Sequence, residues 1–200
     1  MHLVCLDLEG VLLPEIWIAI SDSTGIRELR CTTRDEPDYE KLMHSRLALL
    51  SKNNIGIEDI RKIIETLDPL PGAVEFTQWL VSKTRLIILS DTFIEFADPL
   101  LEKLGFPTLF CHSLVINSKG KIVDYKLRQN DHKQRTVEAL KKLNFTVIAA
   151  GDSYNDVQML HTADHGILFC PPDSLIKKHT EYPVAKDHTA LREFIDKFLV

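Results

Sequence analysis

Five short apolar runs recur along the chain, at residues 2–8, 85–91, 108–111, 147–151 and 166–170. Each has strand length and is bounded by turn-forming residues. Between most of them, apolar positions repeat with helical spacing, over residues 72–82, 91–104, 134–143 and 156–163. Strands alternating with helices predict an α/β fold, a doubly wound parallel sheet with helices on both faces. Sheets of this kind bind ligands beyond the carboxyl ends of their strands.

Two segments break the alternation. Residues 14–70 hold no comparable strand and read as helices over 14–24, 38–53 and 57–66. They predict a small helical cap inserted after the first strand, between core pieces 1–13 and 71–200. The stretch "SLVINSKGKIVDYKL", residues 113–127, alternates, turns at 117–120 and alternates again, the pattern of a β-hairpin. After residue 170 the chain reads as helix-poor up to a C-terminal helix at 189–199, and carries no assigned chemistry.

The polar residues gather where the strands stop. "VCLDLEGVLLPE" ends its apolar run on Asp7 and Glu9, "LIILSDT" on Ser90, Asp91 and Thr92, and "VIAAGDSYND" on Asp152, Ser153, Asn155 and Asp156. Acids at strand ends are often only turn and cap residues. Two buried strands that both end in paired acids ask for more, because carboxylates at that density need a cation. Oxygen donors without His or Cys suggest Mg²⁺. One carboxylate in such a site can act as a nucleophile toward phosphorus, with the metal neutralising the charges on both partners. Ser90, at an expected strand-to-helix junction, and Lys133, ahead of the helix at 134–143, are candidate donors to the phosphoryl group. Lys133 read alone is equally a solvated surface lysine.

Bulk properties narrow the class. The 200 residues suit one domain with a modest insertion, and 44% hydrophobic content supports a real core. A net charge of −5 argues against nucleic acid or an anionic membrane as partner, so an anionic substrate has to be held by local cations. The N-terminus lacks the basic region of a signal peptide and no apolar run is long enough to span a bilayer, so a cytoplasmic protein is expected. Cys5, Cys31, Cys111 and Cys170 are scattered. Cys5, Cys111 and Cys170 lie in apolar runs and read as reduced core cysteines. The eight histidines are dispersed, Trp17 and Trp79 read as core, and no phosphate-binding G-x-x-x-x-G-K-[ST] loop is present. Oligomeric state is not legible.

Taken together, Asp7-Leu8-Glu9-Gly10-Val11, Ser90, Lys133 and Gly151-Asp152-Ser153-Tyr154-Asn155-Asp156 resemble, in order and spacing, the four motifs of the haloacid dehalogenase superfamily. The cap after the first motif and the re-entry stretch "PLPGAVEFTQWL" resemble its phosphoserine phosphatase branch. The resemblance implies Asp7 as nucleophile and Mg²⁺ ligand. It implies Glu9 as the general acid and base that also binds the metal through its backbone carbonyl, Asp152 as a metal ligand, and Asp156 as support for the metal shell. Ser90, Asp91, Lys133 and Asn155 would contact the substrate. Most phosphatases of this superfamily carry Asp where this chain has Glu9. Glu9, with "RLIILSDTFIEFADPL", "LGFPTLFCH" and "YKLRQ", resembles a narrower group, the ThrH-type phosphoserine phosphatases, which also pass the phosphoryl group to homoserine.

The cap offers its own clue. Arg46 falls amid an apolar helical face formed by Tyr39, Leu42, Met43, Leu47, Leu49 and Leu50. Such an arginine either snorkels to water or takes a partner, and a carboxylate can be gripped bidentately. Glu15, at the start of the first cap helix, suits the helix dipole or a substrate ammonium. Together the two would read the amino-acid end of L-phosphoserine, or of L-homoserine as acceptor. Rival readings are a phosphatase for another small phosphate ester, a receiver-like phospho-accepting module, and a catalytically inactive binding protein. A receiver lacks both the cap and a late G-D-x-x-x-D, and every catalytic position here is filled.

Overall fold

The computed structural model describes residues 1–33, 35–36 and 38–199. Seven strands form one sheet: β1 (His2–Leu6), β2 (Arg85–Phe93), β3 (Thr108–Ile116), β4 (Ile122–Lys126), β5 (Thr146–Gly151), β6 (His165–Phe169) and β7 (Val184–Ala185). Their order is β4-β3-β2-β1-β5-β6-β7, parallel throughout except for the antiparallel β3–β4 pair. The central strands are apolar on both faces because helices cover both. Val4, Cys5, Leu6, Ile148, Ala149 and Ala150 are fully buried. Strand order reverses beside β1, the switch point where ligands of such sheets bind. The doubly wound sheet, the added hairpin strand and the helices inserted after the first strand agree with the sequence pattern.

The inserted helices are α1 (Ile16–Thr24), α2 (Tyr39–Lys52) and α3 (Ile57–Glu65), with a 3-10 turn at Arg27–Arg30. The other helices are α4 (Ala73–Lys83), α5 (Ile94–Lys103), α6 (His132–Lys142), α7 (Val157–Thr162), α8 (Asp173–Lys178) and α9 (His188–Phe198). We propose the core–cap division at residues 13/14 and 70/71. Two features favour it. The linkers run side by side, the Leu70 N–H donating to the Leu12 carbonyl at 2.9 Å. His188, opening α9, sets one ring nitrogen 2.8 Å from the Val11 carbonyl and the other 3.0 Å from that of Pro71. The cap shares its core with the sheet: Ile16, Trp17, Ile20, Met43, Ile60 and Ile64 belong to one buried cluster with Leu6, Phe93 and Phe96.

Several expectations are corrected. The first strand stops at Leu6 rather than residue 8, because the chain must turn to bring Asp7 and Glu9 to the sheet edge. The expected strand at 108–111 and the first arm of the hairpin are one continuous strand, β3, which pairs with β2 at one end and β4 at the other. The second strand runs on to Phe93, and α5 starts at Ile94 instead of 91. The stretch after 170 contains the short helix α8 and edge strand β7. All four cysteines are free, and Cys5 is buried, but Cys111 is only half-buried and Cys170 is exposed just beyond β6. No helix among the described residues is long and apolar enough to cross a membrane.

Asp164 ties two of the parallel strands. Its carboxylate accepts the Val147 N–H at 2.8 Å and lies 3.0 Å from Lys141 Nζ, while its own N–H donates to the Val147 carbonyl at 2.9 Å. Partial burial pushes its pKa upward, yet the Val147 N–H and Lys141 outweigh that and hold the carboxyl below the ordinary value. A depressed carboxyl stabilises the fold above the ordinary carboxylate range, and the stabilisation disappears as pH falls through the folded value. Asp164→Asn is therefore expected to cost about 1 kcal/mol at neutral pH, a figure kept low by solvent screening at a side chain one-third exposed. Denaturant titrations should show this gap closing as pH falls below the ordinary carboxylate range.

Candidate active site

The edge where β1, β2 and β5 end carries the polar residues. The Asp7 N–H still donates to the Ala150 carbonyl at 3.0 Å, so the parallel pairing fixes where its side chain emerges. Asp7 Oδ1 accepts the Leu8 N–H at 2.8 Å and lies 3.0 Å from Lys133 Nζ. The next turn needs glycine at residue 10 for two reasons. Its φ is +79°, and a Cβ there would stand 2.5 Å from Asp152 Oδ2. Gly151 similarly clears room for Asp156, whose Cγ would be 2.3 Å from an added Cβ.

Asp156 is fully buried and its oxygens are committed. Oδ1 takes Lys133 Nζ at 2.8 Å, and Oδ2 takes the N–H groups of Asp152 and Ser153, each at 3.1 Å. These bonds lock the loop that presents Asp152. Lys133, in the first turn of α6, is also buried. Its ammonium meets Asp156, Asp7 and, at 3.4 Å, Asp91. Burial alone would discharge it; the three carboxylates overcome this and keep it protonated far above the usual range.

One lysine does not balance this many acids. Asp7, Asp152 and Asp156 each bring a carboxylate oxygen within 4.8 Å of the others. Burial, then repulsion from Asp156, pushes the Asp7 carboxyl well above its usual range, Asp152 and Asp91 adding to the push while Lys133 opposes it. The site is short of positive charge, and its donors are all oxygen. Both features fit a hard divalent cation, with Asp7 and Asp152 positioned to hold it and Asp156 behind them.

Glu9 follows a different logic. Its Oε2 accepts the N–H of Ile16, the first residue of cap helix α1, at 3.0 Å. The extra methylene of glutamate thus ties the acid to the cap. Burial, and then the nearby Glu15 carboxylate, pushes Glu9 up to about 7, against the Ile16 N–H and the Thr92 hydroxyl. Ser90 is buried, and its hydroxyl accepts the Thr92 N–H at 3.2 Å. It does not sit at a helix start, as the sequence suggested. It lies where the β2–β3 register shifts, Leu89 pairing with Phe110 and Phe93 with His112. That bulge re-aims Ser90, Asp91 and Thr92.

Arg46 closes the other side. It is only 7% exposed; its guanidinium lies over the Trp17 ring at 4.5 Å and donates to the Cys31 carbonyl at 2.8 Å, while its Nε is buried with no partner among the described residues. Nine of the ten sequence-selected residues, namely Asp7, Glu9, Glu15, Arg46, Ser90, Asp91, Lys133, Asp152 and Asn155, line one cleft of about 470 Å³; Asp156 stands behind it. Trp17 is core, as expected, yet also forms cleft wall. The sequence reading named Thr92 at its strand end but gave it no role, and it missed the part Tyr39 plays, its hydroxyl donating to the Asp91 carbonyl at 3.2 Å across the cap–core boundary. It also missed His112 and His132, whose rings meet at 4.7 Å beside Asp91. No sequence spacing marks these two, because β3 and α6 bring them together.

A family model for haloacid dehalogenase-like hydrolases matches residues 1–164. The chain is 51% identical over 196 residues to the phosphoserine phosphatase ThrH of Pseudomonas aeruginosa, covering 98% of this chain and 96% of that protein. It is also 51% identical to a phosphoserine phosphatase of Pseudomonas syringae pv. tomato, covering 98% and 83%. Among solved structures, a substrate-bound phosphoserine phosphatase complex superposes with a TM-score of 0.78 at 22% identity, covering 98% of this chain and 97% of that one, a likeness of fold. The resemblance drawn from the motifs therefore stands, and the chain is an enzyme that belongs to the haloacid dehalogenase-like hydrolase family.

Proposed function

We propose that this enzyme is a Mg²⁺-dependent L-phosphoserine phosphatase that works through an aspartyl-phosphate at Asp7 and can pass the phosphoryl group to L-homoserine. The observation that carries the substrate is Arg46. A buried guanidinium whose Nε has no partner among the described residues, in the wall of the cleft that holds Asp7, is a fit for a carboxylate at the far end of a small phosphate ester. Glu15 lines the same cleft, and its repulsion with Glu9 would be relieved by an ammonium. The phosphoserine phosphatases at 51% identity support the same reading.

The chemistry follows from the donors. Asp7 Oδ1 is occupied by the Leu8 N–H and Lys133, which leaves Oδ2 to attack phosphorus. The Oδ2–P bond forms as the bond from phosphorus to the serine oxygen breaks. Glu9, held high enough to carry a proton near neutrality, gives that proton to the departing oxygen. It then takes one from the incoming hydroxyl, whose oxygen bonds to phosphorus as the P–Oδ2 bond breaks and the Asp7 carboxylate is regenerated. Magnesium held by Asp7, Asp152 and the Glu9 carbonyl would supply neutralising charge at the phosphoryl group. Ser90, Lys133 and Asn155 would hold the phosphoryl oxygens as negative charge spreads over them. Water as the second nucleophile completes hydrolysis, and homoserine, which has the head group of serine and one more methylene, completes transfer.

Phosphate release from L-phosphoserine with magnesium, with and without L-homoserine, tests the proposal. Wild-type enzyme is expected to release phosphate, to form O-phosphohomoserine when the acceptor is added, and to stop on chelation. Failure to turn over phosphoserine while hydrolysing another phosphate ester would overturn the substrate reading. Asp7→Asn should lower kcat by at least about 10³-fold, with the fold retained by circular dichroism. Arg46→Ala should lower kcat/KM for L-phosphoserine about 10- to 100-fold, the loss of a charge-assisted hydrogen bond. The same variant should leave p-nitrophenyl phosphate, which has no carboxylate, nearly unaffected.

A further inference from the structure

Asp91 faces the cleft, but its carboxylate is already full. His132 Nε2 lies 3.1 Å and His112 Nε2 3.6 Å from Oδ1; Asn155 Nδ2 donates to Oδ2 at 2.8 Å, and Lys133 Nζ lies 3.4 Å away. Both rings are buried. His112 Nδ1 accepts the Arg128 N–H at 3.1 Å, so the proton of its neutral ring must sit on Nε2, facing Asp91. That tautomer argues against a metal ion between the two rings and Asp91, since a cation there would have to displace the proton. His132 Nδ1 is buried without a partner among the described residues. The ring proton therefore belongs on Nε2 here too, where it is used, and an unpaired lone pair is left on Nδ1. Burial pushes the Asp91 carboxyl upward, but Lys133 and the two rings outweigh it and keep the group ionised.

We propose that Asp91, clamped by His112 and His132, is a positioning residue that fixes the side-chain amide of Asn155 with its remaining N–H, not its oxygen, toward the phosphoryl group. This rests on the phosphoryl-transfer reading above. The Asn155 amide can sit two ways round, and only its neighbours decide which. The Ser153 hydroxyl donates to Asn155 Oδ1, while Asp91 Oδ2 accepts from Nδ2. The first contact does not fix the choice, because a hydroxyl can turn and accept instead. An ionised carboxylate only accepts, so it is Asp91 that selects the orientation. Lys133 needs Asp91 far less, being anchored at 2.8 Å to Asp156 and 3.0 Å to Asp7. In Asp91→Asn the carbonyl oxygen stays with His132 and the new NH₂ faces the amide of Asn155. Two donors meet, Asn155 turns over, and its oxygen is presented to the negatively charged phosphoryl group.

A double-mutant cycle with Asp91→Asn and Asn155→Ala tests this, run on L-phosphoserine and on p-nitrophenyl phosphate. Asp91→Asn in the wild-type background should lower kcat about 10²-fold on either substrate, with a much smaller change in KM. In the Asn155→Ala background the same substitution should cost no more than about twofold. Equal losses in the two backgrounds would overturn the proposal, as would an unchanged kcat. If Asp91→Asn does not fold, His132→Phe replaces it in the cycle. It keeps the Asp91 charge and removes one clamp, so kcat should fall in the wild-type background and hardly at all beside Asn155→Ala. An unchanged kcat, or equal losses, again overturns the proposal. Because the amide acts on the phosphoryl end, an enzyme inert toward phosphoserine but active on p-nitrophenyl phosphate would sink the substrate assignment alone, and the cycle on the second substrate would still decide this one.

Discussion

The ammonium of Lys133 is the centre on which the site depends. It is buried, and it is surrounded by Asp7, Asp91 and Asp156, which come from three different strand ends. A charge in that position is tolerable only because the carboxylates keep it ionised, and the carboxylates can crowd only because it is there. Removing any one partner leaves an unpaired buried charge. The parallel sheet is what makes the crowding possible: β1, β2 and β5 are adjacent and end at the same edge. The arrangement still lacks positive charge, as the upward push on the Asp7 carboxyl from burial and its acidic neighbours shows. A divalent cation would supply it, leaving room beside Lys133 for a negatively charged group.

The cap is coupled to this centre by short links. Glu9 reaches the first N–H of α1, and the Tyr39 hydroxyl reaches the Asp91 carbonyl. The acid that would protonate the leaving oxygen is therefore held by α1, the helix that Glu15 precedes, while α2 carries Arg46. On the proposed reading, recognition of the amino-acid end and delivery of a proton would both involve the helices inserted after the first strand. This gives a physical sense to glutamate where most phosphatases of the superfamily have aspartate: the shorter acid would not span to Ile16.

Much of this was legible in the sequence, for reasons that are local. Strand-length apolar runs ending in acids marked Asp7, Glu9, Asp152 and Asp156, and an arginine inside an apolar helical stripe marked Arg46. Order and spacing carried Ser90 and Lys133. What escaped depends on tertiary structure. The bulge that turns Ser90 and Asp91 toward the cleft arises from a β2–β3 register shift that no single-strand pattern records. The continuous β3 was split into two pieces because its pairing partner changes from β2 to β4 along its length. His112 and His132 read as dispersed, and they meet only once β3 and α6 are in place.

The central claim is that Asp7 becomes phosphorylated. Its most direct test is to mix the enzyme with L-phosphoserine and magnesium, quench in acid within one turnover, and map the modified peptide by mass spectrometry. The account predicts one added phosphoryl group on the peptide carrying Asp7, lost when homoserine is present before the quench. Turnover without any phosphorylated peptide, or with the group on another residue, would contradict it and point to direct attack on the ester or to a different nucleophile.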